Sequence, residues 1–268
     1  MKHVVMFSGG IGSWGAAKRV AAEHGTDNLT LLFTDTNIED PDLYRFLREA
    51  SEDVGGRLVW LDNGGKTPWD VFEDVRMLGN TRIAACSHKL KQEPARAWVN
   101  DNCNPDDTTL YVGIDWSEAH RMKAVLRGWA PYTVEAPLCE PPLRAKAALF
   151  ADLTGTGIET PLLYKLGMPH NNCGGGCVKA GQAHFKKLRQ VLPERFGEWV
   201  ANEQRLRDFL GRDDIAILRD RTGGTTTPLT LAELGARAVL EEAGSGQLSL
   251  IDNDEWGGCG CFVDEEGP

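Results

Sequence analysis

Met6-Phe7-Ser8-Gly9-Gly10-Ile11-Gly12-Ser13-Trp14 is the stretch on which the fold turns. His3–Phe7, leading into it, is an apolar strand-like run, and Trp14–Glu23, leading out, carries apolar residues at helical spacing. Glycines between a strand and a helix let backbone N–H groups converge and admit a bulky anion. The helix N-terminus adds partial positive charge, and Ser8 and Ser13 add hydroxyl donors. A plain tight turn would have a similar composition. No Gly-Lys-Ser/Thr follows, so this is not a Walker A loop.

The same alternation continues outward. Leu29–Thr34, Arg57–Leu61 and Thr109–Ile114 read as strands, and Pro41–Val54 and Trp69–Leu78 as helices. Strand–helix alternation with short connections predicts an α/β fold, a doubly wound, Rossmann-like parallel sheet. Ligands of such sheets bind beyond the strands' carboxyl ends, here residues 8–13, 35–39 and 113–121. After residue 140 the strand signal fades. Helices are expected at Leu143–Leu153, Gln182–Leu192, Phe196–Leu210 and Leu231–Ala243, followed by a Gly- and acid-rich tail. Residues 1–140 are therefore read as an α/β core, and 141–268 as a helical, Cys-rich, metal-binding C-terminal extension with a flexible tail.

Composition sets the bounds. The 268 residues hold 29 Lys+Arg against 39 Asp+Glu, a formal net charge of -10. This acidity argues against a broad nucleic-acid-binding face, although not against a local basic pocket. No apolar run approaches the ~18–20 residues of a membrane span. Val4–Phe7 is too short for a signal peptide's apolar region, so a cytoplasmic protein with no membrane contact is expected. Seven cysteines without an export signal suit metal binding or chemistry better than disulfides.

Three further segments carry candidate chemistry. Thr34-Asp35-Thr36-Asn37-Ile38-Glu39-Asp40-Pro41 ends the second strand with acids at a crevice position; Asp35 could equally cap the next helix. Gly113-Ile114-Asp115-Trp116-Ser117-Glu118-Ala119-His120-Arg121 leaves the fourth strand, where Arg121 could clamp a phosphate or pair with Glu118 at i,i+3. Cys86-Ser87-His88-Lys89-Leu90-Lys91-Gln92-Glu93-Pro94 places lysines near a helix start, a conflict an anionic ligand would resolve. Further on, Cys173-Gly174-Gly175-Gly176-Cys177 sets two thiols on a Gly-rich turn, and Cys259-Gly260-Cys261 sets two more near the C-terminus. Four thiolates in two close pairs suit tetrahedral zinc. Cys86, Cys173, Cys177 and Cys261 would equally suit an iron–sulfur cluster. The tail pair could instead act as nucleophiles.

Taken together, these segments resemble the PP-loop superfamily in its phosphoadenosine phosphosulfate (PAPS) reductase-like branch. The loop resembles the SGGxDS signature, with Gly12 at the Asp position. Asp35–Pro41 is similar to DTGxExPE, and Cys86–Pro94 to CCxxRKxxPL with Ser87 at the second Cys. Gly113, Glu118 and Arg121 match GxRxxESxxR, with Asp115 at its first Arg, and Pro161-Leu162-Leu163-Tyr164 with Cys173 and Cys177 is similar to the PxLY…C…C arrangement. The resemblance implies an adenine nucleotide bound by Ser8, Gly9, Gly10, Gly12, Ser13, Asp35, Glu39, Lys89, Gly113 and Arg121. It implies an enzyme that cleaves ATP to AMP and pyrophosphate with Mg²⁺ and adenylates a substrate for sulfur transfer, using a [4Fe-4S] cluster or zinc. Ser13, Asp35, Cys259 and Cys261 are its candidate catalytic residues. A PAPS or APS (sulfonucleotide) reductase using a tail cysteine is the alternative, and a non-catalytic nucleotide-binding redox sensor a third. A sulfur- or electron-donor protein and a homo-oligomer are expected partners; a nucleic-acid or nucleoside acceptor is conceivable, unaided by the charge.

Overall fold

The computed structural model describes residues 1–244, and Cys259 and Cys261 lie outside them. Strands β1 (Lys2–Met6), β2 (Leu29–Thr34), β3 (Arg57–Leu61), β4 (Thr108–Tyr111) and β5 (Thr133–Glu135) form one sheet in the order β3-β2-β1-β4-β5. Every pairing is parallel, with Val5 beside Leu31 on one side and Tyr111 on the other. Helices α1 (Ile11–His24), α2 (Pro41–Val54), α3 (Pro68–Asp74), α4 (Ala85–Ser87), α5 (Glu93–Asn102) and α6 (Met122–Trp129) connect the strands. A five-residue π-helical segment, His88–Gln92, joins α4 to α5. This is the doubly wound parallel α/β sheet that the alternation predicts, with β5 added beyond the four expected strands.

Successive strand residues face opposite ways, so a strand covered on both faces is apolar throughout. β1 obeys this: Val5 packs toward α1 and α2, while Val4 and Met6 pack toward α5 and α6. Strand order reverses between β1 and β4, and that switch point is where ligands of such sheets settle.

The later chain adds α7 (Lys146–Gly155), α8 (Leu162–Lys165), α9 (Gln182–Val191), α10 (Pro193–Leu210), the antiparallel pair β6 (Leu218–Asp220) and β7 (Thr227–Leu229), and α11 (Leu231–Gly244). Packing crosses residue 140 in both directions. Leu149 and Leu153 of α7 belong to the core over α1, while Trp69, Phe72 and Leu78 pack with α9 and α10. Buried Glu203 ties the later elements together by accepting the N–H groups of Ile217 (2.9 Å) and Leu231 (2.7 Å). No helix among the described residues is long and apolar enough to cross a membrane.

Candidate active site

The turn after β1 requires its glycines. Gly9 has φ +73°, a left-handed conformation that side chains disfavour. A Cβ on Gly12 would lie 2.7 Å from the Gly113 carbonyl oxygen, and one on Gly113 would lie 2.6 Å from the Ser13 nitrogen. The loops after β1 and β4 thus touch backbone to backbone at the switch point. This contact accounts for glycine at position 12: no side chain fits there.

α1 starts without a side-chain cap and without an acid in its first turn. The helices that follow β2 and β3 differ, with Asp40 capping α2 and a Thr67–Asp70 capping box on α3. Ser13, buried, donates to the Gly10 carbonyl at 2.8 Å, which folds its hydroxyl into the turn. Around the turn opens a crevice that is partly open to solvent. Ser8, Gly10, Gly12, Ser13, Gly113 and Arg121 all line it. Arg121 also pairs with Glu118 at 2.7 Å, so both expected roles of that side chain are geometrically compatible.

Several crevice residues had no local signal in the sequence. Lys146 lines it, with Nζ donating to the Pro169 carbonyl at 2.5 Å and lying 4.8 Å from the Tyr164 ring centroid. Burial lowers the Lys146 pKa, while the Glu118 and Asp115 charges act to raise it. His170 also lines the crevice; burial, then the charges of Lys146, His184 and Arg121, push its pKa down to about 4. Lys91, rather than Lys89, reaches the crevice: Lys89 is an exposed partner of Glu93 at 2.7 Å.

The expected acids lie elsewhere. Asp35 is buried, and its carboxylate accepts from the Asn37 N–H (2.8 Å), the Tyr44 hydroxyl (2.9 Å) and the Trp60 indole (3.1 Å). This holds the loop after β2 in place, and Asp35 is not part of the crevice wall. Glu39 accepts from the Thr36 hydroxyl at 2.8 Å and from the Cys173 N–H, and lies 3.8 Å from the Lys91 ammonium. Arg195 bridges the Asp40 carboxylate (2.6 Å) and the Gly174 carbonyl (2.7 Å). These acids therefore clamp the cysteine turn.

That turn folds tightly, with Cys173 at φ +48° and a Cβ on Gly176 excluded by the Trp199 ring at 2.2 Å. Cys86, Cys173 and Cys177 all line a second, small and apolar cavity. The free Cys173 and Cys177 thiols share a hydrogen bond; that hydrogen bond, burial and the Glu39 charge push the Cys173 pKa well up. Three thiols on one apolar cavity fit a thiophilic metal or cluster by donor chemistry. Among the described residues, no three His, Cys, Asp or Glu side chains stand at metal-holding separation. Cys261, the expected fourth ligand, lies outside the described residues. Cys103 and Cys139 lie apart, on the α5–α6 side of the sheet. Lys91 and Asn172 line both cavities and form the wall between them.

No protein-family model and no curated protein matches the chain. Among solved structures, the phosphoadenylyl-sulfate (PAPS) reductase from Candida auris, in a phosphate complex, is similar at 16% identity and TM-score 0.45, over 64% of this chain and 81% of its own. The U34-tRNA thiolase NcsA from Methanococcus maripaludis, with its [4Fe-4S] cluster, is similar at 13% identity and TM-score 0.43, over 77% of this chain and 73% of its own. Sheet order, glycine turn and switch-point crevice are those of a doubly wound parallel α/β fold.

Proposed function

We propose that the chain is a sulfur-transfer enzyme that binds ATP in the switch-point crevice and cleaves it to AMP and pyrophosphate while adenylating an acceptor. One observation carries this reading: a cationic crevice floored by an uncapped helix start shares a wall with a three-thiol cavity. The Ile11 N–H donates to the Tyr164 hydroxyl at 3.3 Å, but the other first-turn N–H groups and the helix dipole favour phosphate oxygens, and Arg121 and Lys146 add cations at the same opening. An acceptor oxygen attacks the α-phosphorus, the bond to the β-phosphate breaks, and pyrophosphate leaves. The acceptor then carries AMP as a leaving group that sulfur displaces. Donors aimed at the departing pyrophosphate stabilise its developing charge. Mg²⁺ would neutralise part of that charge; Asp115 and Glu118 are the carboxylates lining the crevice.

Cys86, Cys173 and Cys177 would hold the iron–sulfur cluster, which when bound supplies sulfur or electrons. Glu39 and Arg195 fix the turn that carries two of these thiols, and Lys91 lies between thiols and nucleotide. A donor protein would replenish the sulfur or electrons.

The test is a competition titration on anaerobically purified protein, with ATP against PAPS and APS. Tighter ATP binding, together with pyrophosphate release, supports the proposal. Tighter sulfonucleotide binding overturns it in favour of a reductase, and Cys259→Ser with Cys261→Ser would then ask whether the tail supplies its nucleophile. In a second arm, Cys86→Ser should abolish the visible absorbance of the reconstituted cluster and leave ATP affinity unchanged.

A further inference from the structure

Asn171 precedes the cysteine turn and is 4% exposed. Its Nδ2 donates to the Gly9 carbonyl oxygen at 2.9 Å. That bond fixes the amide, because the flipped orientation would set one carbonyl oxygen against another. Oδ1 is therefore the remaining polar atom, on a residue that lines the crevice. It is fully buried and has no hydrogen-bond donor among the described residues. Buried acceptors in folded proteins are nearly always matched, since leaving one unmatched carries the full cost of its desolvation. The side chain is thus shaped to receive an O–H or N–H from a bound molecule.

Resting on the ATP-binding reading above, the choice of donor narrows. Ionised phosphates offer none. The donors of an adenine nucleotide are its ribose hydroxyls and the amine of its base. Asn171 is tied to the phosphate turn itself through Gly9, and the ribose hydroxyls are the donors a nucleotide carries nearest its phosphates. We infer that Asn171 is the sugar-reading residue of the crevice, its Oδ1 accepting a hydrogen bond from a ribose hydroxyl of the bound adenine nucleotide. A phosphate ester at that hydroxyl would remove the donor and set anionic oxygen against Oδ1, so the residue also selects for an unesterified ribose.

Calorimetric titration with ATP, 2′-deoxy-ATP, 3′-deoxy-ATP and inosine triphosphate tests this. On the unaltered protein, one deoxy analogue should bind about three- to tenfold more weakly than ATP, as loss of one neutral hydrogen bond predicts, and inosine triphosphate should bind like ATP. In Asn171→Ala, ATP and that deoxy analogue should bind equally. Both deoxy analogues binding like ATP overturns the inference, and needs no variant that must fold. A penalty that persists in Asn171→Ala also overturns it, as does one confined to inosine triphosphate, which would place Oδ1 at the base. Absence of ATP binding altogether removes the crevice reading itself, an outcome distinct from ATP bound without a sugar penalty.

Discussion

The crevice and the cysteine cavity share Lys91 and Asn172 as a common wall, yet they are built from opposite materials. The crevice is assembled from backbone and cations: an uncapped α1, two glycine loops in contact, Arg121 and Lys146. The cavity is apolar, and its chemistry resides in three thiols. Their supports differ too. The Gly-rich turn is shaped by its own conformation and by Gly113, whereas the cysteine turn is clamped from outside by Glu39, Arg195 and His184. The fold sets a polar, cation-bearing crevice and an apolar thiol cavity side by side, with the buried Lys91 lining both.

That cation is the strongest point at which to break the comparison. Lys91 and Glu39 are both buried, 3.8 Å apart, and Glu39 also holds the Cys173 backbone. Removing one partner of a buried pair costs about 3–5 kcal/mol, because the other charge stays behind uncompensated. Lys91→Met should therefore lower the thermal midpoint sharply and weaken both nucleotide binding and cluster retention. The double variant Lys91→Met with Glu39→Gln should recover much of the stability in denaturant titrations. Loss of one ligand only, with stability intact, would show that Lys91 belongs to a single site.

A smaller, one-sided effect is expected at Gly113. Its added Cβ would meet only backbone, the Ser13 nitrogen at 2.6 Å and the Gly12 carbonyl carbon at 2.8 Å. Backbone yields less readily than a side-chain tip, so Gly113→Ala should cost roughly 1–3 kcal/mol and splay the two loops. ATP affinity should fall while the cluster's visible absorbance is retained. Equal loss of both signals would mean the two sites fold as one unit.

Legibility in the sequence followed how local each feature is. β1–β4, α1 and α2 were readable because each is a run of periodic apolar residues bounded by turn signals. β5 was not: Thr133-Val134-Glu135 has a single buried residue, and its place comes from pairing with β4. β6 and β7 are equally short. The glycine turn after β1 and the Cys86, Cys173 and Cys177 grouping were legible as motifs. The choice between Lys89 and Lys91 was not, since residues two apart on a helical turn face different ways, and which one turns inward is set by what packs there. Asp35 and Glu39 read as ligand-binding acids because their type and strand-end position allow it, while their hydrogen bonds come from tertiary neighbours: Tyr44 of the next helix, Trp60 of the next strand and Cys173, 134 residues on. Lys146 and Asn171 arrive in the crevice from the second half, with no spacing rule to announce them, and His170, three before Cys173, reads in the sequence as a turn residue or an extra metal ligand rather than as part of the crevice.

His170 offers the smallest and most selective probe, because its charge state reports on the crevice. Burial, Lys146, His184 and Arg121 hold its pKa near 4 in the folded protein, against about 6.5 in an unfolded chain. Between those values the unfolded chain binds more protons, so stability must fall as pH drops from about 6.5 to about 4, and this group contributes no slope above that window. His170→Gln should flatten that part of the curve of unfolding midpoint against pH. Bound ATP brings phosphate charge into the same crevice and opposes the cations that depress the pKa. The ring resonances should then titrate at higher pH in the nucleotide complex, while reconstituting the thiol cavity should move them far less. A titration that responds to the cluster and ignores ATP would reverse the assignment of His170, and with it the division of labour across the Lys91–Asn172 wall.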